Sequence, residues 1–543
     1  MAPMAASASL FAFALLASSA LASPIVSDLG NTNFLARRQS STSVSTPLGT
    51  AKGFADGAGV RFAVSYGSAA RWAESIVATS WQLPNNATDP SKMPLLCPQS
   101  SVDASEYAED CLSAVLYVPS SVTSDSNAPT LLWIHGGSFN SGGLTNPGLD
   151  GMQLAQTTQS IVVVIQYRLS ALGFMAPNGA MNLAVKDVVT SMKFLQIVLP
   201  SFGGGASKIT LAGQSSGGNM IRALLAAPSA SSLFQSAVIH SDPMDYGFLT
   251  GSVQSLLQNN FNSLLNCSSI DTACLNSMSL SDILNASDQQ FGNAFTIDAS
   301  ATQSEPMRPV NDGTFITTTL NDQSDFPRVA KPILLSTVKN EAAATTYVAE
   351  PSFLSTSGYQ QFVDWFYPQP KAQDLLASSF YSVPLLADGT AQDARVPLEQ
   401  MGTDGIWRCA IWTFARSWAA NGGKAFVGEY VLGSHYPFND GVAFCQENSS
   451  VCHQDDIYIV FGTAPSPTSS QRALIAEVQA RYKAFLHTGN PNPTSGGYAT
   501  WDAATSTDIP ALLLGGSGLV SAGACAIDFW GRKIPYDYQL WHD

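Results

Sequence analysis

A serine in a glycine-flanked turn is the clearest candidate for chemistry in this sequence. The turn, residues 213–217 (GQSSG), follows an apolar run at 209–212 and precedes a helix-like stretch at 220–227. A strand, a sharp turn and a helix are the context in which a G-x-S-x-G pattern forms a nucleophile elbow. Because glycines at both ends allow a tight turn, we expect Ser215 to sit exposed with strained backbone angles.

A serine hydroxyl becomes a good nucleophile only when a base accepts its proton and an acid orients that base. With this type of elbow, the chain order is serine, then a carboxylate, then histidine. Glu341 follows a predicted strand at residues 332–337, which places its carboxylate near the same edge of the sheet. Of the six histidines, His435 and His453 both follow the last predicted strand. Position alone leaves both as candidate bases.

A second glycine-containing turn can supply donors for a negatively charged intermediate. The predicted strand at 130–134 leads directly into His135, Gly136 and Gly137. Backbone N–H groups of such a turn can converge on an oxyanion, joined by the N–H of Ser216, the residue after the nucleophile. We expect His135 to orient this loop rather than to act as a base.

The elements that must position these residues alternate along the chain. Short apolar or β-branched runs occur at residues 114–118, 130–134, 161–166, 209–212, 237–239, 333–336 and 426–432. Several are continuously apolar, as expected of strands that are covered on both faces. The pattern predicts a mostly parallel sheet with helices on both faces and a site beyond the carboxyl ends of its strands. Residues 253–325 and 351–401 are predicted to be helix-rich insertions over that active edge.

The chain of 543 residues predicts a single catalytic domain at residues 50–543, preceded by segments outside the fold. Residues 1–22 end in an A-x-A pattern and predict a signal peptide, and no later run of 18 apolar residues predicts a membrane span. Residues 23–49 are rich in Ser and Thr and predict a flexible segment. Its dibasic pair at 37–38 is either the end of a propeptide at residue 38 or an exposed pair of charges. Because of the predicted signal peptide, we expect a secreted protein.

Composition narrows the classes of partner and cofactor. A net charge of -15 with only 12% charged residues disfavours nucleic acid as a partner. The eight cysteines of an exported chain predict disulfides, and without a C-x-x-C pair or a His/Cys cluster we expect no metal and no cofactor. N-x-[ST] sequons, which predict glycosylation, occur at Asn86, Asn266, Asn285 and Asn448.

Ordered motifs from about residue 46 to about residue 530 resemble the type-B carboxylesterase/lipase family, which includes the cholinesterases and secreted fungal lipases and esterases. The motifs include GG-x-F at 136–139, the elbow, Asn340-Glu341, Cys452-His453 and VFG at 460–462. The resemblance implies an α/β-hydrolase fold with Ser215 as nucleophile, Glu341 as acid and His453 as base. His453 is selected over His435 because the family's histidine precedes a Phe-Gly pair by a fixed short segment.

The resemblance also assigns backbone donors and disulfides. It implies oxyanion-hole donors on Gly137, Ser138 and Ser216. Its cysteine pattern implies the pairs Cys97–Cys111, Cys267–Cys274 and Cys409–Cys525, which leaves Cys445 and Cys452 to pair beside His453. Gln214 stands where the family usually has glutamate, so a cationic, choline-type substrate is disfavoured. The loop between Cys97 and Cys111 is shorter than the flap of related fungal lipases, which favours soluble substrates.

These expectations combine into a secreted serine hydrolase that cleaves small-molecule carboxylic esters through an acyl-enzyme intermediate. One alternative is a lipase or sterol esterase that acts on long-chain esters. Another is a catalytically silent adhesion module of the same fold family. That module predicts a broken triad or a membrane anchor, and the sequence contains neither of these features.

Overall fold

The computed structural model describes residues 42–531, apart from residues 176, 178, 269–270, 303 and 321–325. The predicted signal peptide at 1–22 and the dibasic pair at 37–38 lie outside the described residues. The strands are β1 (Ser43–Thr46), β2 (Gly49–Lys52), β3 (Phe54–Asp56), β4 (Gly59–Ser65), β5 (Gly67–Ser68), β6 (Ile76–Val77), β7 (Ser113–Pro119), β8 (Ala128–Ile134), β9 (Ile161–Ile165), β10 (Gly204–Gln214), β11 (Ser236–His240), β12 (Leu249–Thr250), β13 (Val310–Asn311), β14 (Pro332–Val338), β15 (Lys424–Tyr430) and β16 (Leu512–Leu514).

All of the α-helices in the described ranges follow β8 in the chain. The α-helices are α1 (Met152–Thr158), α2 (Ser170–Phe174), α3 (Leu183–Val198), α4 (Ser216–Leu225), α5 (Gly251–Leu264), α6 (Thr272–Ser277), α7 (Leu280–Ile297), α8 (Ala343–Ala349), α9 (Thr356–Phe366), α10 (Lys371–Leu376), α11 (Arg395–Gly402), α12 (Cys409–Ala420), α13 (Ile457–Phe461) and α14 (Ser469–Thr488). A π-helical turn, Thr403–Arg408, joins α11 to α12. Helices α5–α7 and α9–α11 occupy the two predicted insertions.

One ten-stranded sheet organises the fold, in the order β3-β4-β7-β9-β8-β10-β11-β14-β15-β16. The pairs from β9 to β16 are all parallel, whereas β3, β4 and β7 add an antiparallel edge. The predicted α/β fold with a mostly parallel sheet is therefore confirmed. Strand β10 lies near the middle, so the residue that follows it emerges at the centre of the carboxyl edge.

Both faces of the sheet are buried, which explains the continuously apolar strands. In β8, Leu132 and Ile134 join a core that includes residues of α3, α4 and α12. The alternate residues, Leu131 and Trp133, join a second core on the opposite face with residues of α1, α13 and α14. Successive side chains of a strand point to opposite faces, so both sets must be apolar.

The amino-terminal boundary differs from the prediction. Strand β1 pairs with β2 in an antiparallel hairpin from Ser43 to Lys52. The expected flexible segment up to residue 49 is therefore wrong for its last residues. A Ser/Thr-rich composition does not exclude a strand when neighbouring backbone groups can pair with it.

Candidate active site

Ser215 lies at the tip of the turn between β10 and α4, with φ 58° and ψ −128°. Its N–H donates to the carbonyl of His240, at the end of β11, over 2.9 Å. A Cβ on Gly217 would lie 2.2 Å from the carbonyl oxygen of Ile134, so only glycine lets α4 approach β8 this closely. The geometry is the strained elbow expected from the glycine spacing.

Glu341 and His453 meet beside this elbow. Glu341 follows β14 by three residues, and its Oε1 accepts from the Val338 N–H over 2.8 Å. Its Oε2 lies 2.6 Å from Nδ1 of His453. Backbone pairing of Asn340 with Val451 brings the loops that carry the two residues together, with N···O 2.9 Å. A carboxylate on Nδ1 fixes the ring and leaves Nε2 toward the elbow.

The two candidate bases are separated by their surroundings. His435 lies on the surface, where its Nε2 contacts Asp440 at 2.8 Å and Gln446 at 3.0 Å. His453 is mostly buried, and its ring lies 5.7 Å from the ring of Trp407. Only His453 of the pair contacts Glu341. Trp407 belongs to the π-helical turn, and no sequence pattern identifies it as part of the site.

Nε2 of His453 does not bond to Ser215. It lies 3.0 Å from the side-chain nitrogen of Gln214, the residue immediately before the serine. Across the described ranges, no hydrogen bond joins Ser215 Oγ to the histidine. The structure thus assembles two of the predicted catalytic residues and places the third next to them without its bond to the base.

The turn after β8 forms the expected backbone loop. Gly137, Ser138 and Phe139 all have positive φ, at 119°, 51° and 61°. A Cβ on Gly137 would lie 2.2 Å from the carbonyl oxygen of Ser141. The Phe139 N–H donates to Ser216 Oγ over 3.3 Å. Within the part of the chain that the structure describes, no backbone carbonyl accepts from the N–H groups of Gly137, Ser138 and Ser216.

His135 supports this loop from beneath. Its ring stacks on Tyr167 at 4.6 Å, and its Nδ1 lies 2.8 Å from the Gly136 carbonyl oxygen. The Tyr167 hydroxyl donates to the His135 carbonyl over 2.8 Å. Burial lowers the pKa of His135 to about 4, so the ring is neutral at ordinary pH. These contacts agree with an orienting role.

The cysteines pair as the resemblance implies: Cys97–Cys111, Cys267–Cys274, Cys409–Cys525 and Cys445–Cys452. The last pair ties the residue before His453 to the preceding loop. Asp455 adds a second restraint, since its carboxylate accepts from the N–H groups of Cys452 over 2.7 Å and Tyr436 over 2.8 Å. Neither of these two contacts of Asp455 can be read from the sequence.

A small apolar cavity of about 50 Å³ lies beside the acid and the π-helical turn. It is lined by Ala342, Ile406, Leu398, Phe362, Phe366 and Tyr367, among others. Ala342 follows Glu341 directly, and Ile406 precedes Trp407. The cavity therefore borders the candidate site on the side formed by the second insertion.

Other predicted sites have simpler outcomes. The sequon residues Asn86, Asn266, Asn285 and Asn448 are all exposed, and their glycosylation stays a prediction.

Asp404 lies near Cys409 and Cys525 in the one group of metal-ligand types among the described residues. Both sulfurs are in a disulfide and Asp404 pairs with Arg408, so the group is not suited to a metal. No helix in the described ranges is long and apolar enough to cross a membrane.

Known proteins resemble the chain along most of its length. The profile of the Carboxylesterase family matches residues 40–521. Mouse (Mus musculus) cholinesterase is 25% identical over 75% of the chain and 69% of its own length. A para-nitrobenzyl esterase of Bacillus subtilis (strain 168) is 35% identical over 27% of the chain and 32% of its own length. A solved PNB esterase structure superposes with a TM-score of 0.70 and 22% identity, over 87% of the chain and 96% of that structure.

Proposed function

Because the chain belongs to the carboxylesterase family and is a carboxylic-ester hydrolase, we propose that Ser215, His453 and Glu341 are its catalytic triad. The observation that carries the proposal is the 2.6 Å contact between Glu341 and His453 beside a serine in elbow geometry. We further propose that the protein is secreted, which four disulfides and exposed sequons support.

In the proposed reaction, Ser215 Oγ attacks the ester carbonyl carbon while Nε2 of His453 accepts its proton. The developing oxyanion accepts from the backbone N–H groups of Gly137, Ser138 and Ser216. His453 then gives the proton to the departing alcohol, and an acyl group remains on the serine. Water, activated by the same histidine, hydrolyses the acyl-enzyme. Glu341 accepts from Nδ1 of His453 and stabilises the imidazolium.

The proposed substrates are small esters with an apolar portion. The apolar cavity beside Ala342 and Ile406 supports this choice, since apolar surface favours an apolar ligand group. Assays with p-nitrophenyl esters of increasing acyl length separate this proposal from its lipase alternative. Highest kcat/KM on short, monomeric esters is expected, whereas activity only above the solubility limit would favour a lipase.

The base is tested with two histidine variants. His453→Ala should lower kcat on p-nitrophenyl butyrate at least ~10³-fold, because no group is left to accept the serine proton. His435→Ala is the matched control and should retain kcat, since the hydrogen-bond partners of its ring among the described residues are Asp440 and Gln446. A large loss in the His435 variant with normal activity in the His453 variant would overturn the assignment.

A further inference from the structure

Both ring nitrogens of His453 already have partners in the folded protein. Nδ1 lies 2.6 Å from Glu341 Oε2, and Nε2 lies 3.0 Å from Nε2 of Gln214. Gln214 is fully buried at the end of β10. Since Ser215 follows it directly, the amide and the nucleophile lie next to the same ring nitrogen.

The protonation of the ring follows from these contacts. An ionised carboxylate can only accept, so the proton of a neutral ring resides on Nδ1 and faces Glu341. Nε2 then carries a single lone pair, and the Gln214 amide donates to it. Ser215 must donate to the same lone pair when it attacks, so Gln214 and Ser215 compete for it.

The oxygen of the Gln214 amide has no hydrogen-bond partner of its own among the described residues. This Oε1 atom is buried and lies against Gly136, where a Cβ would come within 2.9 Å of it. A buried acceptor without a partner is costly, and rotation of the amide could offer that oxygen to a protonated Nε2. The amide can therefore serve both states of the ring, which neither a carboxylate nor an apolar side chain can do.

We propose that Gln214 is a positioning residue that holds Nε2 of His453 as the acceptor of the resting enzyme and is displaced from it by Ser215 during catalysis. This inference rests on the proposed function, because it assigns a partner to the base of that site. It predicts that the side chain at position 214 sets the acidic limb of the pH–activity profile.

Glu341 is the charged side chain that contacts His453 directly. The charged or titratable side chains on the surrounding elements contact other groups. These contacts are Asp404 and Glu429 with Arg408, Asp456 with His240, Glu399 with Thr403, Asp455 with the Cys452 N–H, and His135 with the Gly136 carbonyl. A carboxylate introduced at position 214 would thus be a new charge on Nε2.

The test is the pH profile of kcat/KM on p-nitrophenyl butyrate for wild type, Gln214→Met and Gln214→Glu. A carboxylate beside Nε2 favours the imidazolium, so the acidic limb of Gln214→Glu should move up by one pH unit or more. Gln214→Met adds no charge at Nε2, so its limb should lie below that of Gln214→Glu. Its kcat/KM above the limb should equal or exceed that of wild type, because the competitor is absent.

Gln446→Glu is the matched control. Gln446 contacts Nε2 of His435 at the same 3.0 Å distance, so the substitution adds a charge to a histidine outside the proposed triad. Its acidic limb should coincide with that of wild type. Identical limbs in all variants, or a downward shift in Gln214→Glu, would overturn the role of Gln214.

Two measurements keep the inference separate from folding and from the proposed function. If a variant does not fold, nitrogen-15 NMR of histidine-labelled wild type can be read instead. His453 should show a proton on Nδ1 and an accepting Nε2, and a proton on Nε2 in the neutral ring would overturn the proposal. Wild type that hydrolyses no ester would contradict the proposed function, whereas active variants with coincident profiles contradict only the role of Gln214.

Discussion

The contact between Glu341 and His453 makes a specific demand on the acid. The carboxylate accepts twice, from the His453 ring and from the backbone N–H of Val338. The carboxylate is the acceptor in both hydrogen bonds, so the side chain at position 341 needs an acceptor atom at each of its two terminal positions. A residue of the same shape that presents a donor to Nδ1 would favour the tautomer with its proton on the wrong nitrogen.

The Glu341→Gln variant tests that demand. Its amide nitrogen would face either Nδ1 or the Val338 N–H, so kcat should fall by about 10³–10⁴-fold through loss of the correct tautomer. KM should change little, since the side chain has no route to substrate. Steady-state kinetics measure both quantities, with Glu74→Gln, at an exposed ion pair with Lys186, as the control. Equal kcat in Glu341→Gln and wild type would contradict the assignment.

At the scale of elements, the site depends on loops that follow neighbouring parallel strands. β10, β14 and β15 are adjacent or nearly so, and parallel strands end at the same edge. The loop after β15 is the longest of these connections, because His453 comes 23 residues after Tyr430. A disulfide between Cys445 and Cys452 restrains the end of that loop.

Two paired variants separate restraint of this loop from general stability. The Cys445→Ser/Cys452→Ser and Cys267→Ser/Cys274→Ser variants each open a disulfide of sequence separation 7. Each should lower the free energy of unfolding by about 2–3 kcal/mol in thermal or denaturant melts. Only the first should also lower kcat, by ~10-fold or more, because it frees the loop of His453. Equal kcat losses in both variants would refute this role.

Across the whole molecule, buried carboxyls couple stability to pH. Glu305 lies in the interior near Asp242, and burial followed by this neighbour raises its pKa to about 8. Nearby, Arg308 donates to the backbone carbonyls of Gly247, Ser300 and Ala301. In the unfolded chain the pKa of Glu305 is near 4.5. As the pH rises, the unfolded chain therefore releases this proton at a lower pH than the folded state does.

The raised pKa of Glu305 predicts how the free energy of unfolding changes with pH. A raised carboxyl pKa contributes stability that is complete below pH 4.5 and is lost as the pH rises toward about 8, by roughly 1.4 kcal/mol per pH unit. Glu305→Gln stays neutral, so its free energy of unfolding should exceed that of wild type increasingly between pH 5 and pH 8. Denaturant melts at both pH values measure the difference. A constant difference would show that Glu305 does not take up this proton.

The sequence predicts the strands that form the carboxyl edge, because they are continuously apolar and lie in one layer. It also predicts the elbow, because two glycine positions have steric requirements that no other residue meets. Trp407 and Asp455 escape prediction, since their roles depend on contacts between distant loops. Likewise, the sequence shows that position 214 is glutamine, but only the folded chain places its amide on His453.

Ser215 is the proposed nucleophile, and covalent labelling tests this assignment. Folded wild type is treated with a fluorophosphonate probe, digested and mapped by mass spectrometry, with heat-denatured wild type and Ser215→Ala as controls. We expect one adduct, on the peptide that contains Ser215, and none in either control. An adduct on another residue of the folded protein, or ester hydrolysis by Ser215→Ala at the wild-type rate, would contradict it.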